Sequence, residues 1–222
     1  MLSNLELIRR VPLFALLTAG QAEAVADAVV KRRFKRGEVI VEQGEKSNTL
    51  FIILTGRVRV VTSDKRGREV ILATLQPGDY IGEMSLIDNE PHSANCRAEV
   101  QTDMLVLGRA EFARCLPENS SMAYAIMKGL VQRLRQADRK IESLALMDVY
   151  GRVARALLEF AVPDRDGEMT IRDKISRQDI AKMVGASREM VSRVMKDLED
   201  RGFIETRSDG SMLIKDRLTT LG

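Results

Sequence analysis

The segment GEMSLIDNEPHSA, residues 82–94, brings together residue types suited to handling phosphate. Gly82 opens a short apolar turn, Glu83 follows it, and His92, the single histidine of the chain, stands near its end beside Ser93. A glycine leading into a turn presents free backbone N–H groups to an anion. Such a site also wants a charged side chain, and His92 occupies the place where one is expected. The segment therefore reads as a phosphate pocket, as a pocket altered for another ligand, or as a plain loop.

A second constellation lies in ISRQDIAKMVGASREMVSRVMKDLEDRGFI, residues 175–204. Ser176 with Asp179 three positions on is a variant of the capping box and starts a helix that runs to about Val184. Gly185-Ala186 supplies a tight turn, and Ser187 caps a second helix. Two short helices about a glycine-containing turn make a helix-turn-helix. In the second helix Val191, Val194, Met195 and Leu198 follow i, i+3, i+4, i+7 spacing and form a buried stripe. Glu189, Ser192, Arg193 and Lys196 share that spacing on another face, with Arg188 beside them at the helix start. Arg can donate twice to guanine O6 and N7, and Glu can accept from cytosine N4. A charged outer face alone suits any amphipathic surface helix. The capped helix before it, the turn, and FIETR-SDG-SMLI after it, read as a hairpin around Asp-Gly, favour a winged helix-turn-helix that binds double-stranded DNA.

These residues need a frame, and three differently patterned sections provide one. Between about residues 34 and 108, β-branched runs such as VIV, FIIL, VRVV and VILATL alternate with glycines at 37, 44, 56, 67, 78 and 82. Many short strands at even spacing suggest a sandwich or barrel. Residues 4–31 ahead of them read as short helices, with Pro12 and Gly20 as breaks. From about 119 to 147 a long helix carries Ala123, Met127, Leu130, Leu134, Ala137, Ile141 and Leu144 in alternating steps of four and three. An unbroken heptad seam of this kind favours a parallel two-stranded coiled coil, hence a homodimer. The expected fold class is α+β, with a β-roll sensor over residues 1–118, a dimerisation helix over 119–147 and a winged helix-turn-helix domain over 148–222.

Composition bounds the rest. At 222 residues the chain is comfortable for two domains. Aromatic residues make up 4% and Trp is absent, so aliphatic side chains must fill the core. A net charge of +3, from 35 basic and 32 acidic residues, is too small to argue nucleic-acid binding by itself. Cys96 and Cys115 have no partner spacing for a metal, and fit two reduced thiols better than a disulfide. Glu6, Arg9 and Arg10 interrupt the first apolar stretch, unlike a secretory signal. No run approaches the roughly 18 apolar residues of a membrane span. The expectation is a cytoplasmic protein with no membrane partner.

Taken in order, the roll glycines, GEMSL, the long helix, LALMDVYGRVARALLEFA and SRQDIAKMVGASREMVSRVMKDLE resemble the cyclic-AMP receptor/fumarate-nitrate regulator family of bacterial transcription factors. GASREMVSR is the most specific of these motifs, and the resemblance spans nearly the whole chain. It implies a cyclic-nucleotide-binding β-roll, RNA polymerase as a partner, and base reading by Arg188, Glu189 and Arg193 on TGTGA-like half-sites. Arg177, Gln178 and Ser187 would hold phosphates, and Met190 would touch a thymine methyl. Phosphate contacts position a protein on DNA, and base contacts specify the sequence. The cysteine cluster of the family's iron–sulfur branch is missing, and no haem motif is present. No tightly bound cofactor or metal is expected.

In nucleotide-responsive members of that family, G-E-x-x-L is followed by Arg-Ser-Ala. The glycine and following N–H groups face the cyclic phosphate, the Glu takes the ribose, and the Arg pairs with the phosphate charge. Gly82, Glu83, Met84, Ser85, Leu86, Ser93 and Ala94 match, and His92 replaces the arginine. Histidine is shorter and mostly neutral at pH 7, so binding through it would depend on pH. The adenine-contacting Thr-Ser pair falls at Ala137 and Asp138. An ionised Asp138 accepts but cannot donate, which suits guanine better than adenine, or it pairs with Arg135 or Arg139. Cyclic AMP, cyclic GMP, cyclic di-GMP and no nucleotide at all stay open as the small-molecule effector.

Two function classes follow: a homodimeric DNA-binding regulator controlled by a cyclic nucleotide, and a constitutive regulator whose roll is only a scaffold. An enzyme has little to stand on, because no nucleophile–base pair or metal cluster is visible.

Overall fold

The computed structural model describes residues 3–15, 17–64, 66–115, 120–164, 168–207 and 209–215, without the side chains of Arg114, Cys115 and residues 120–122. The Cys115 thiol and the expected domain boundary at 118/119 lie outside the described residues. The chain forms two compact units, residues 1–134 and 135–222.

The first unit opens with α1 (Asn4–Ile8), a 3-10 turn (Pro12–Phe14) and α2 (Ala19–Ala28). Pro12 heads its turn, where a missing N–H costs nothing. Gly20, expected as a break, lies inside the first turn of α2. Thr18 and Gln21 close a reciprocal capping box there, which outweighs the poor helix propensity of one glycine. Eight strands follow: β1 (Val30–Phe34), β2 (Val39–Val41), β3 (Thr49–Thr55), β4 (Val58–Ser63), β5 (Glu69–Leu75), β6 (Tyr80–Ile81), β7 (Asn95–Ala98) and β8 (Thr102–Gly108). The short α3 (Glu83–Asp88) interrupts them, and α4 (Arg109–Cys115) and α5 (Ser120–Leu146) close the series.

Two antiparallel sheets result, ordered β1-β8-β3-β6 and β2-β7-β4-β5. Period-two alternation along β3 divides its side chains between two cores. Phe51 and Ile53 point between the sheets, where Phe34, Met104, Val58, Leu75, Cys96 and Ala98 meet them. Leu50 and Ile52 point outward and are covered by Ile8, Phe14 and Val25 from the N-terminal helices, Phe112 from α4 and Ile126 from α5. Strand β1, VKRRF, begins at the end of the stretch read as helical, residues 4–31, and runs to the start of the strand-rich section at 34; four of its five residues are exposed, so no apolar alternation marks it.

In the second unit α6 (Val149–Phe160), α7 (Arg177–Val184) and α8 (Arg188–Asp200) surround one core with a four-stranded antiparallel sheet. That sheet runs β11 (Ile204–Thr206), β12 (Met212–Ile214), β10 (Met169–Ile171), β9 (Val162–Pro163). The hairpin of β11 and β12 matches the sequence reading; β9 and β10 are too short to show a period. Asp148 caps α6 by accepting from the Gly151 N–H at 2.8 Å. Arg152 then donates to the carbonyls of Met147 and Val184, at 2.9 and 3.0 Å, and so pins the ends of two other helices. Along α5 the heptad positions Met127, Leu134, Ile141 and Leu144 are 50–63% exposed, while Leu130 is half-buried against the first core.

Candidate functional site

The first site grows from Gly82. Its φ of 96° lies in the left-handed region, and a Cβ there would collide with the Thr49 carbonyl oxygen, so no other residue fits. The chain then turns directly into α3, with Met84 exposed and Ser85 buried. Arg109 satisfies the far end of α3 by donating to the carbonyls of Ser85 and Leu86 and to the Asn89 side chain.

Glu83, expected to meet a ribose, is 1% exposed and forms an ion pair with Arg133 of α5. Arg133 also donates to the Tyr80 carbonyl and lies 5.0 Å above the Tyr80 ring. The Tyr80 hydroxyl donates to the Ile126 carbonyl at 3.2 Å. Gly129 makes this packing feasible, since a side chain there would overlap the Tyr80 hydroxyl. Neither Arg133 nor Gly129 was singled out from sequence. The available signal was a cation off the seam and the one glycine in a long helix.

Burial pushes the Glu83 carboxyl above its ordinary value, and Arg133 pulls it back. A group raised in the folded state stabilises most below its unfolded pKa, and that stability is lost as pH rises through the folded value. Arg133→Met leaves Glu83 buried and unpaired, and should cost about 2–3 kcal/mol, discounted because the arginine is one-third exposed. The deficit should be larger at pH 8 than at pH 5, which urea unfolding at the two values would test; equal deficits would exclude an ionised Glu83.

His92 is buried, with Nδ1 3.1 Å from the Ser85 hydroxyl and Nε2 2.8 Å from that of Ser47. Burial lowers the pKa of the ring. Ser93 is exposed. Asp138 is exposed on α5 and belongs to the second unit. Cys96 is buried in the core between the two sheets, and burial pushes its thiol up to about 12. In a Cys115→Ser variant, Cys96 should therefore react with a disulfide reagent at pH 8 roughly a thousandfold more slowly than in urea. Comparable rates would mean the roll core opens readily.

The second site is the outer face of α8. Ser176 and Ser187 cap α7 and α8, accepting from the N–H groups of Asp179 and Met190 at 3.0 and 3.2 Å. Gly185 closes α7 with φ 65°. Val191, Val194, Met195 and Leu198 are buried, as their spacing predicts. Arg188, Glu189, Met190, Ser192, Arg193 and Lys196 are all exposed on the opposite side, with Ser187 and Gln178 exposed and Arg177 half-buried. The Glu189 carboxyl is held below the usual range by its own helix-start N–H, then by the Ser187 hydroxyl, so it stays an acceptor at neutral pH.

A β-roll with a glycine-led turn, followed by a winged helix-turn-helix, defines a DNA-binding protein joined to a ligand-binding module. Family comparisons agree: residues 31–119 match the cyclic nucleotide-binding domain and residues 151–218 the Crp-like helix-turn-helix domain. The cAMP-activated global transcriptional regulator Vfr of Pseudomonas aeruginosa is 37% identical over 186 residues, 80% of this chain and 86% of Vfr. The cAMP-activated global transcriptional regulator CRP of Salmonella typhimurium is 35% identical, covering 78% of this chain and 83% of CRP. The c-di-GMP responsive global regulator CLP of Xanthomonas campestris superposes with a TM-score of 0.77 at 26% identity, over 89% of this chain and 98% of that one. The chain belongs to the CRP/FNR family of transcription factors. It is a DNA-binding transcription regulator with a cyclic nucleotide-binding domain, and not an enzyme.

Proposed function

We propose that the protein works as a cytoplasmic homodimer that reads a TGTGA-like palindrome under the control of a cyclic nucleotide held in its roll. The observation that carries this reading is the α8 surface, where Arg188, Glu189 and Arg193 stand exposed above a fully buried apolar stripe. Arg177, Gln178 and Ser187 at the starts of α7 and α8 are assigned to phosphates, Met190 to a thymine methyl, and Ser192 and Lys196 to the flanks of the same face. Residues 1–118 serve as sensor, 119–147 as dimerisation helix and 148–222 as DNA-binding domain, with RNA polymerase as the downstream partner. Exposed Met127, Leu134, Ile141 and Leu144 support a seam that a second copy covers.

The effector pocket comprises Gly82, Glu83, Met84, Ser85, His92 and Ser93, with Asp138 contributing to base selection. Cyclic AMP is the first candidate, because the relatives named as cAMP-activated share 35–37% identity with this chain. His92 and Asp138 keep cyclic GMP and cyclic di-GMP in the same comparison. A ligand that engages Glu83 competes with Arg133, and so reaches α5 directly. Control then arises only if the ligand prefers one arrangement of the protein over another. The second reading is a constitutive regulator, favoured by the mutual satisfaction of His92 and its two serines.

Calorimetric titration with the three nucleotides, paired with DNA binding at fixed salt, separates the readings. Binding at micromolar concentration or tighter with a changed DNA affinity supports the sensor. No heat with unaltered DNA binding supports the constitutive regulator.

A further inference from the structure

At His92 the sequence suggests a lost phosphate charge, but the ring is built into the pocket rather than left over from it. Its backbone N–H donates to the Glu45 carbonyl at 2.9 Å, and its carbonyl accepts from the Gly44 N–H at 2.9 Å. Both contacts tie residue 92 to the loop between β2 and β3 that carries Ser47. Its Cε1 lies 3.9 Å from the point where a Cβ would stand on Gly82, so the ring edge lies against the turn glycine. Both ring nitrogens face a serine hydroxyl, Ser85 on the buried side and Ser47 at the half-buried rim.

Those partners have a consequence for protonation. A neutral imidazole has one N–H and one lone pair, so one serine accepts from it and the other donates to it. An imidazolium has two N–H groups, and a hydroxyl can accept as readily as donate. The ring can therefore take one proton from solvent without losing either hydrogen bond. Both serines then accept from the ring, and the hydroxyl hydrogen that had been donated to the ring's lone pair is released. Where the neutral ring carries its proton on Nδ1, that serine is Ser47 at the rim; in either tautomer the Ser47 hydroxyl hydrogen of the protonated relay is free to meet an anion, with a positive charge behind it. We infer that Ser47, His92 and Ser85 form a hydroxyl–imidazole–hydroxyl relay that replaces the missing guanidinium, taking up a proton as the phosphodiester of a cyclic nucleotide binds. This inference rests on the nucleotide-pocket reading above.

The surrounding charges suit such a group. On α3, Glu83 is engaged by Arg133, and Asp88 accepts from the Glu90 N–H. Arg109, at the head of α4, is directed to carbonyls and Asn89. Glu42, Glu45 and Lys46 of the β2–β3 loop are exposed. Burial is what lowers the ring's pKa, so the free pocket is neutral near pH 7 and an arriving anion supplies the charge that raises it.

The test is calorimetric titration of the full chain with cyclic AMP and cyclic GMP in buffers of different ionisation enthalpy, from pH 5.5 to 8. The expected result is uptake of about 0.5 to 1 proton per chain at pH 7. Affinity should fall by up to about tenfold per pH unit between the free and bound pKa values. His92→Asn, which keeps hydrogen bonding but cannot titrate, should bind more weakly with a flat pH profile and no uptake. His92→Arg should bind with a flat profile and at least wild-type affinity, which also shows that the pocket remains folded. Binding by the native chain without proton uptake would overturn the relay alone. No heat from either nucleotide with the native chain, but binding by His92→Arg, would overturn the relay and leave the pocket's shape intact. Silence from both proteins with these two nucleotides, and with cyclic di-GMP as well, would remove the nucleotide-pocket reading itself.

Discussion

Arg193→Ala is expected to lower affinity for a TGTGA-type palindrome by about a hundredfold or more, while affinity for an unrelated duplex changes by less than about tenfold. A bidentate Arg–guanine pair discriminates by about 1–3 kcal/mol, and a two-fold symmetric complex loses it twice. Arg193 is exposed, and the core beneath it belongs to Val191, Val194, Met195 and Leu198. The fold should therefore keep its stability within about 0.5 kcal/mol. Lys196→Ala provides the contrast. If Lys196 meets phosphate, its loss weakens all duplexes alike and reduces the salt dependence by about one counterion per site. Titrations of both variants on both duplexes at several salt concentrations would separate base reading from charge. Equal losses on the two duplexes for Arg193→Ala would remove it from the base-reading set.

The second large effect concerns the seam. Leu134 and Ile141 are 62% and 63% exposed on the single chain, so replacing both with lysine leaves the cores of the two units untouched. In a dimer each would be buried, at about 1.5–3 kcal/mol per side chain, and the substitution would also bring like charges together across the seam. The double variant should sediment as a monomer at micromolar concentration, where the native chain is expected to sediment as a dimer. Its affinity for the palindrome should drop to that of a half-site. A native chain that is already monomeric, or a double variant that stays dimeric, would show that α5 is not the dimer interface.

The two sites differ in how far local pattern reveals them. The helix-turn-helix was legible almost to the residue because its signals are local. Ser176 and Ser187 cap, Gly185 turns, and one helical period sorts α8 into buried and exposed faces. The roll strands with β-branched runs were equally plain. Strand β1 was missed because charged residues occupy it, and its identity comes from pairing with β8, some seventy residues away, from Val30↔Val106 to Phe34↔Thr102. Gly20 misled because a propensity was weighed without the capping box that overrides it.

At the ligand pocket the residue types along the chain revealed a glycine-led turn and a histidine in an arginine's place, and nothing about what holds them. Glu83 is satisfied by Arg133 from fifty positions away, and His92 by Ser47 from forty-five. Neither distance leaves a mark in a helical or strand period. The sequence by itself determined the class of protein, the order of its parts and the face of α8, because capping, turns and apolar periodicity act between near neighbours. Only the tertiary structure decided which buried polar group answers which, because the burial that demands a partner exists only after distant segments have packed together.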